Sequence, residues 1–137
     1  MSYSIIVPVL NEEDNISIVI EKVKEIFEKV SHEIIVINNK SVDNTKEILN
    51  EITDIQIYDF SLYQSRSSAI LFGLTKAKND YIIIVDGDNE INLEYLINIT
   101  NFPDMKDIYW CNRYIKSQKS SFSMMMNKLI SLVVRSL

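Results

Sequence analysis

Three acids, Asp86, Asp88 and Glu90, stand two apart in the stretch YIIIVDGDNE, directly after the apolar run Tyr81 to Val85. At the mouth of a buried strand, carboxylates this close repel one another unless one is protonated or a cation lies between them. Hard oxygen donors suit Mg²⁺ or Mn²⁺, and Mg²⁺ commonly takes one or two carboxylates together with substrate phosphate oxygens. A nucleoside diphosphate bound through such a metal is the simplest reading of Asp86 and Asp88. The alternative is that the acids cap a helix beginning near Asn92, where negative charge favours the first turn. A calcium loop of the EF-hand type is excluded, because it needs glycine where Ile91 stands and a bidentate acid where Ile97 stands.

The elements that must position these acids alternate. Ser4 to Val9 is a β-branched run followed by cap-competent residues from Asn11 to Asn15, so strand, turn and helix start are expected there. From Ile16 to Val30 apolar residues recur at three and four with charge on the other face, which predicts an amphipathic helix. Strands are expected at Glu33–Ile37, Ile55–Phe60, Tyr81–Val85 and Asp107–Asn112. Helices are expected from Asp43, as N-cap, through Leu49, at Ser65–Lys78, around Leu93–Ile99 and at Phe122–Leu137. Strands that are continuously apolar and alternate with helices predict an α/β fold with a mostly parallel sheet covered on both faces. Chemistry in such a sheet gathers outside the carboxyl ends of the strands, here at Pro8–Asp14, Asn38–Thr45 and Asp86–Glu90. His32, the single histidine, precedes the second strand and so falls at the opposite end, as a surface or structural residue.

Taken together and in order, IIVPVLNEEDNI, EIIVINNKSVDNT and YIIIVDGDNE resemble the family 2 glycosyltransferases of GT-A fold, closest to the branch that makes dolichyl- or polyprenyl-phosphate sugars. The resemblance implies a three-layer, Rossmann-like sandwich and transfer of a sugar, with inversion, from a nucleotide-sugar donor to a lipid phosphate or glycan acceptor. It assigns Asp86 and Asp88 to the family's metal-binding DxD, with Glu90 as a further metal ligand, and Mg²⁺ or Mn²⁺ as cofactor. It assigns Pro8, Val9, Leu10, Glu12, Asn38, Asn39 and Asp86 to donor binding. Arg113, in YWCNRY, and Lys128 become candidate phosphate or acceptor contacts, since a guanidinium fork suits that work. The chain departs from the family where two aspartates and a glycine become Asn38, Asn39 and Lys40. Carboxamides can hydrogen-bond a base edge or ribose but carry no charge, and lysine is a poor substitute where glycine serves a positive φ. Family members run longer than these 137 residues. A minimal or truncated enzyme, a non-catalytic nucleotide-sugar-binding or interaction module, and a polysaccharide-type transferase are therefore kept as alternatives.

The chain is of a size for one domain, residues 1–137, with 47% hydrophobic residues to fill a core. A net charge of −5 gives no reason to expect nucleic-acid binding, yet the charge is uneven. Ile108 to Leu137 holds Arg113, Lys116, Lys119, Lys128 and Arg135 and no acid. A basic amphipathic helix at about 120–137 is expected, either in the membrane headgroup layer, or packed on the sheet or on a second copy. The single Cys111, an N-terminus without a basic leader and the lack of an apolar run of about 20 residues point to the cytoplasm, with peripheral contact at the inner face of the membrane.

Overall fold

The structure, a computed structural model, describes residues 2–62, 65–79, 81–89, 93–94 and 96–97. Glu90, Arg113, Lys128, the strand expected at 107–112 and the helix expected at 120–137 lie outside them, as does most of the helix expected around 93–99. Four strands, β1 (Ser2–Val9), β2 (Ser31–Asn38), β3 (Gln56–Asp59) and β4 (Tyr81–Ile84), form one sheet in the order β3-β2-β1-β4, every neighbouring pair parallel. Among the described residues three helices connect these strands: α1 (Ile16–Phe27), α2 (Thr45–Glu51) and α3 (Arg66–Leu74).

The continuous apolar strands are explained by two cores. On one face Tyr3, Ile5, Val7 and Val9 of β1 and Ile34 and Val36 of β2 meet Ile16, Val19, Ile20, Val23 and Phe27 of α1 and Leu49 of α2. On the other face Ile6, Ile35 and Ile37 pack with Phe60 and with Ala69 of α3. Successive side chains point to opposite faces, so β1, central and covered twice, is buried along nearly its whole length. Layers of helix, sheet and helix are thus in place, as the alternating pattern predicts.

Element ends differ from the sequence expectation for identifiable reasons. Helix α3 stops at Leu74 rather than Lys78, because the next residues are drawn across the amino ends of the strands. There Lys78 N donates to Glu33 Oε1 at 2.8 Å, Asn79 N to Ser4 Oγ at 3.1 Å and Asn79 Nδ2 to Tyr3 O at 2.9 Å. Helix α1 ends at Phe27, where Val30 N turns back to Phe27 O, and α2 runs on to Glu51. Asp43 is not the N-cap of α2, which is Asn44. Its carboxylate instead accepts from Thr45 N, two residues on, and from Glu13 N.

Candidate functional site

Three loops meet beyond the carboxyl ends of β1, β2 and β4. The first two are laced together by hydrogen bonds between side chains and backbone. Asn11 N donates to Ser41 Oγ (3.0 Å), Val42 N to Asn11 Oδ1 (2.8 Å), Glu12 N to Thr45 Oγ1 (2.8 Å) and Asn44 N to Glu13 Oε2 (2.9 Å). Asn39 N closes onto Val9 O at 2.9 Å. Burial opposes ionisation of Asp43, but hydrogen bonds from Thr45 and from Glu13 N outweigh it and hold the carboxyl below its ordinary range. The third loop is steadied from α1, where Lys22 Nζ donates to Asn89 Oδ1 at 3.0 Å.

Between the loops lies a cavity of about 190 Å³, lined by Pro8, Val9, Leu10, Glu12, Asn39, Arg66, Ala69, Asp86, Gly87 and Asp88. Small-molecule sites usually enclose about 300–1,000 Å³, so the described walls hold part of a nucleotide-sized ligand. Gly87 forms the floor by its lack of a side chain. A Cβ there would stand 2.8 Å from Val9 Cγ1, and the residue's φ is not positive, so space rather than conformational freedom requires glycine. Lys40 does adopt a left-handed conformation, φ 61°, so the strain expected where lysine stands for glycine is realised in the fold.

Of the residues singled out from the sequence, the structure brings Pro8, Val9, Leu10, Glu12, Asn39, Asp86 and Asp88 to one cavity. Asn38, by contrast, is turned to the sheet edge. Its Nδ2 donates to Asp59 Oδ1 at 2.9 Å and its Oδ1 accepts from Ser41 N at 3.2 Å. Asn39, 3% exposed, has a buried Oδ1 with no hydrogen-bond partner among the described residues. A buried acceptor left this way is costly and calls for a partner.

Arg66 was not among the expected residues, and it is the sole cation on this wall among the described residues. Its Nε donates to Asp86 Oδ1 at 2.6 Å, and its Nη2 stands in ion-pair contact with the same oxygen at 2.5 Å. One signal in the sequence marks it: a cation in the first turn of a helix faces the positive end of the helix dipole and needs a compensating anion.

Among the described residues no set of three or more His, Cys, Asp or Glu side chains is arranged to hold a metal ion. Two carboxylates on one cavity wall, Asp86 and Asp88, still fit a divalent cation whose remaining positions are filled by phosphate oxygens and water, which is the usual habit of Mg²⁺. His32 lies at the amino end of β2, its Nδ1 against Val30 O at 2.8 Å and its ring beside Phe27, away from the cavity. No helix among the described residues is long and apolar enough to cross a membrane.

Residues 4–133 match the family described as Glycosyl transferase family 2. The chain is 25% identical over 135 residues to a dolichol-phosphate mannosyltransferase of Pyrococcus furiosus, covering 96% of this chain and 38% of that protein. It is 32% identical over 108 residues to a poly(ribitol-phosphate) beta-glucosyltransferase of Bacillus spizizenii, covering 74% of this chain and 17% of that one. Among solved structures, TarS 1–349 of S. aureus superposes with a TM-score of 0.64 at 24% identity over 74% of this chain and 32% of that one, a likeness of fold. The chain therefore spans well under half the length of each of these proteins.

Proposed function

Since the chain belongs to glycosyl transferase family 2, we propose that its cavity binds a nucleotide-sugar donor and that the protein transfers the sugar to an acceptor, a polyprenyl phosphate in the favoured reading. The observation that carries this is the meeting of three loops at one wall, where Asp86 and Asp88 line the same cavity as Glu12 and Asn39. The Asn39 carboxamide hydrogen-bonds the base or ribose, and Glu12 lies on the same side of the nucleoside. Pro8, Val9 and Leu10 form an apolar ledge against it.

In the reaction an acceptor oxygen attacks the anomeric carbon from the face opposite the diphosphate. The bond from that carbon to the β-phosphate oxygen breaks, the nucleoside diphosphate leaves with the electron pair, and the configuration inverts. Asp86 and Asp88 would hold Mg²⁺ or Mn²⁺, which supplies positive charge against the departing diphosphate. A phosphate acceptor is already anionic near neutral pH, so the step needs no general base from the protein. A sugar hydroxyl would need a general base to take its proton, so the phosphate acceptor asks least of the cavity. The relative named as a dolichol-phosphate mannosyltransferase supports the same choice.

Calorimetric titration with UDP and with GDP, each with and without Mn²⁺, tests the reading. Binding of one nucleotide is expected to depend on metal and to fall tenfold or more in Asp88→Ala. Binding of neither overturns it. Metal-dependent binding without consumption of donor in the presence of polyprenyl phosphate would leave a nucleotide-sugar-binding module and remove the transferase.

A further inference from the structure

The geometry points to Arg66 as a diphosphate-binding residue that pairs with Asp86 and exchanges partners when the donor enters. This rests on the donor-site reading above and deepens it. Among the described residues the cavity wall carries three carboxylates, Glu12, Asp86 and Asp88, and one guanidinium, that of Arg66. A nucleoside diphosphate does not settle beside those carboxylates uncompensated, because like charges a few ångströms apart repel. A divalent cation offsets the two aspartates, and the phosphate oxygens then need a donor of their own.

Arg66 is placed and built for that. Its hydrogen bond from Nε and its ion-pair contact through Nη2 both fall on one oxygen, Asp86 Oδ1, which leaves Nη1 outside these two contacts with that carboxylate. The side chain of Arg66 is 58% exposed while that of Asp86 is 15% exposed, so the cation can swing and the carboxylate stays. The backbone of the same helix start is a weaker candidate for the phosphate, because Ser68 N is taken by Ser65 Oγ at 3.1 Å. With Asp86 and Asp88 engaged by a divalent cation, the guanidinium of Arg66 would be free to turn within the same cavity, and its planar fork matches phosphate oxygens.

The exchange predicts two effects of opposite sign. In Arg66→Gln, Mn²⁺ alone, followed by the loss of the free-ion electron paramagnetic resonance signal, binds severalfold more tightly, because a competitor for Asp86 is gone. In the same variant, with saturating Mn²⁺, the nucleoside diphosphate that the wild type binds is held tenfold or more weakly. The corresponding nucleoside, without phosphate, stays within twofold. Arg66→Lys, which keeps the charge but not the fork, recovers part of the diphosphate affinity. Arg66 is exposed and the circular dichroism of both variants is expected to match the wild type. A merely structural ion pair would move Mn²⁺, nucleoside and diphosphate in one direction, and that result, or no change in any of them, overturns the exchange while leaving the donor site standing. A wild-type protein that binds neither UDP nor GDP overturns both.

Discussion

Two adjacent carboxamides stand where the family's pattern has aspartates, and the structure gives them different work. Asn39 lines the cavity, and its buried Oδ1 has no hydrogen-bond partner among the described residues. Asn38 is tied to Asp59, whose carboxyl is held below its ordinary range first by Lys46 and then by Asn38. The amide matters there because it donates. An aspartate at 38 would set a second carboxylate about one hydrogen-bond length from the first, and Lys46 Nζ already sits on the other Asp59 oxygen. Asn38→Asp is therefore expected to destabilise the fold by about 1–3 kcal/mol at pH 7, from the lost bond and the like-charge contact. One of the paired carboxyls would take up a proton on mild acidification, so the gap to the wild type should narrow near pH 4.5. Urea midpoints at the two pH values measure this. A constant gap would mean that the cost is not electrostatic.

At the scale of elements, the position of α3 decides where Arg66 stands, and Gly73 decides the position of α3. A Cβ on Gly73 would lie 2.6 Å from Ile6 Cγ2 and 3.3 Å from Ile37 Cγ1, so the helix rests directly on the central strands through a residue with no side chain. Overpacking of this kind costs about 1–3 kcal/mol. Alanine recovers up to about 1 kcal/mol of helix propensity over glycine. Gly73→Ala is expected to give a net loss of stability, read as a lower urea midpoint with an unchanged slope. If it stabilised the protein, Ile6 would have to yield at no cost, and the close contact would have no structural weight. The register of the sheet supplies the rest of the alignment. Val9 pairs with Asn38 and Asn38 with Asp59, so the loops leave β1, β2 and β3 at one level.

For the whole molecule, the elements that were legible in the sequence are those whose pattern has one cause. Strands buried on both faces read as unbroken apolar runs, and α1 read as a stripe. The places where reading failed have two causes at once. The end of α3 is set by Lys78 and Asn79 reaching Glu33 and Ser4, partners about forty-five and seventy-five positions away, which local propensity cannot reveal. Whether Asn38 or Asn39 turns to the cavity depends on the pleat and on Asp59 across the sheet. Arg66 escaped because its role depends on a carboxylate twenty residues later in the chain.

The same distant clasp governs how the molecule responds to acid. Burial raises the cost of charging Glu33, but hydrogen bonds from Ser4, Lys78 N and Gln56 outweigh it and lower the carboxyl's pKa. Asp43 and Asp59 are lowered as well. A carboxyl whose folded pKa is depressed adds stability that is fully present above its unfolded value, roughly 3.9 for Asp and 4.3 for Glu, and is lost as pH falls through the folded value. The urea midpoint should therefore change little through these groups from pH 7 to about 5.5 and fall steeply below about 4.5. Glu33→Gln should lower the midpoint at pH 7, because an amide nitrogen then meets the Gln56 Nε2 donor, and should shallow the acid decline, because one of the three titrating groups is gone. An acid limb as steep in Glu33→Gln as in the wild type would show that the clasp joining β1, β2, β3 and the entry to β4 does not act through the charge of Glu33.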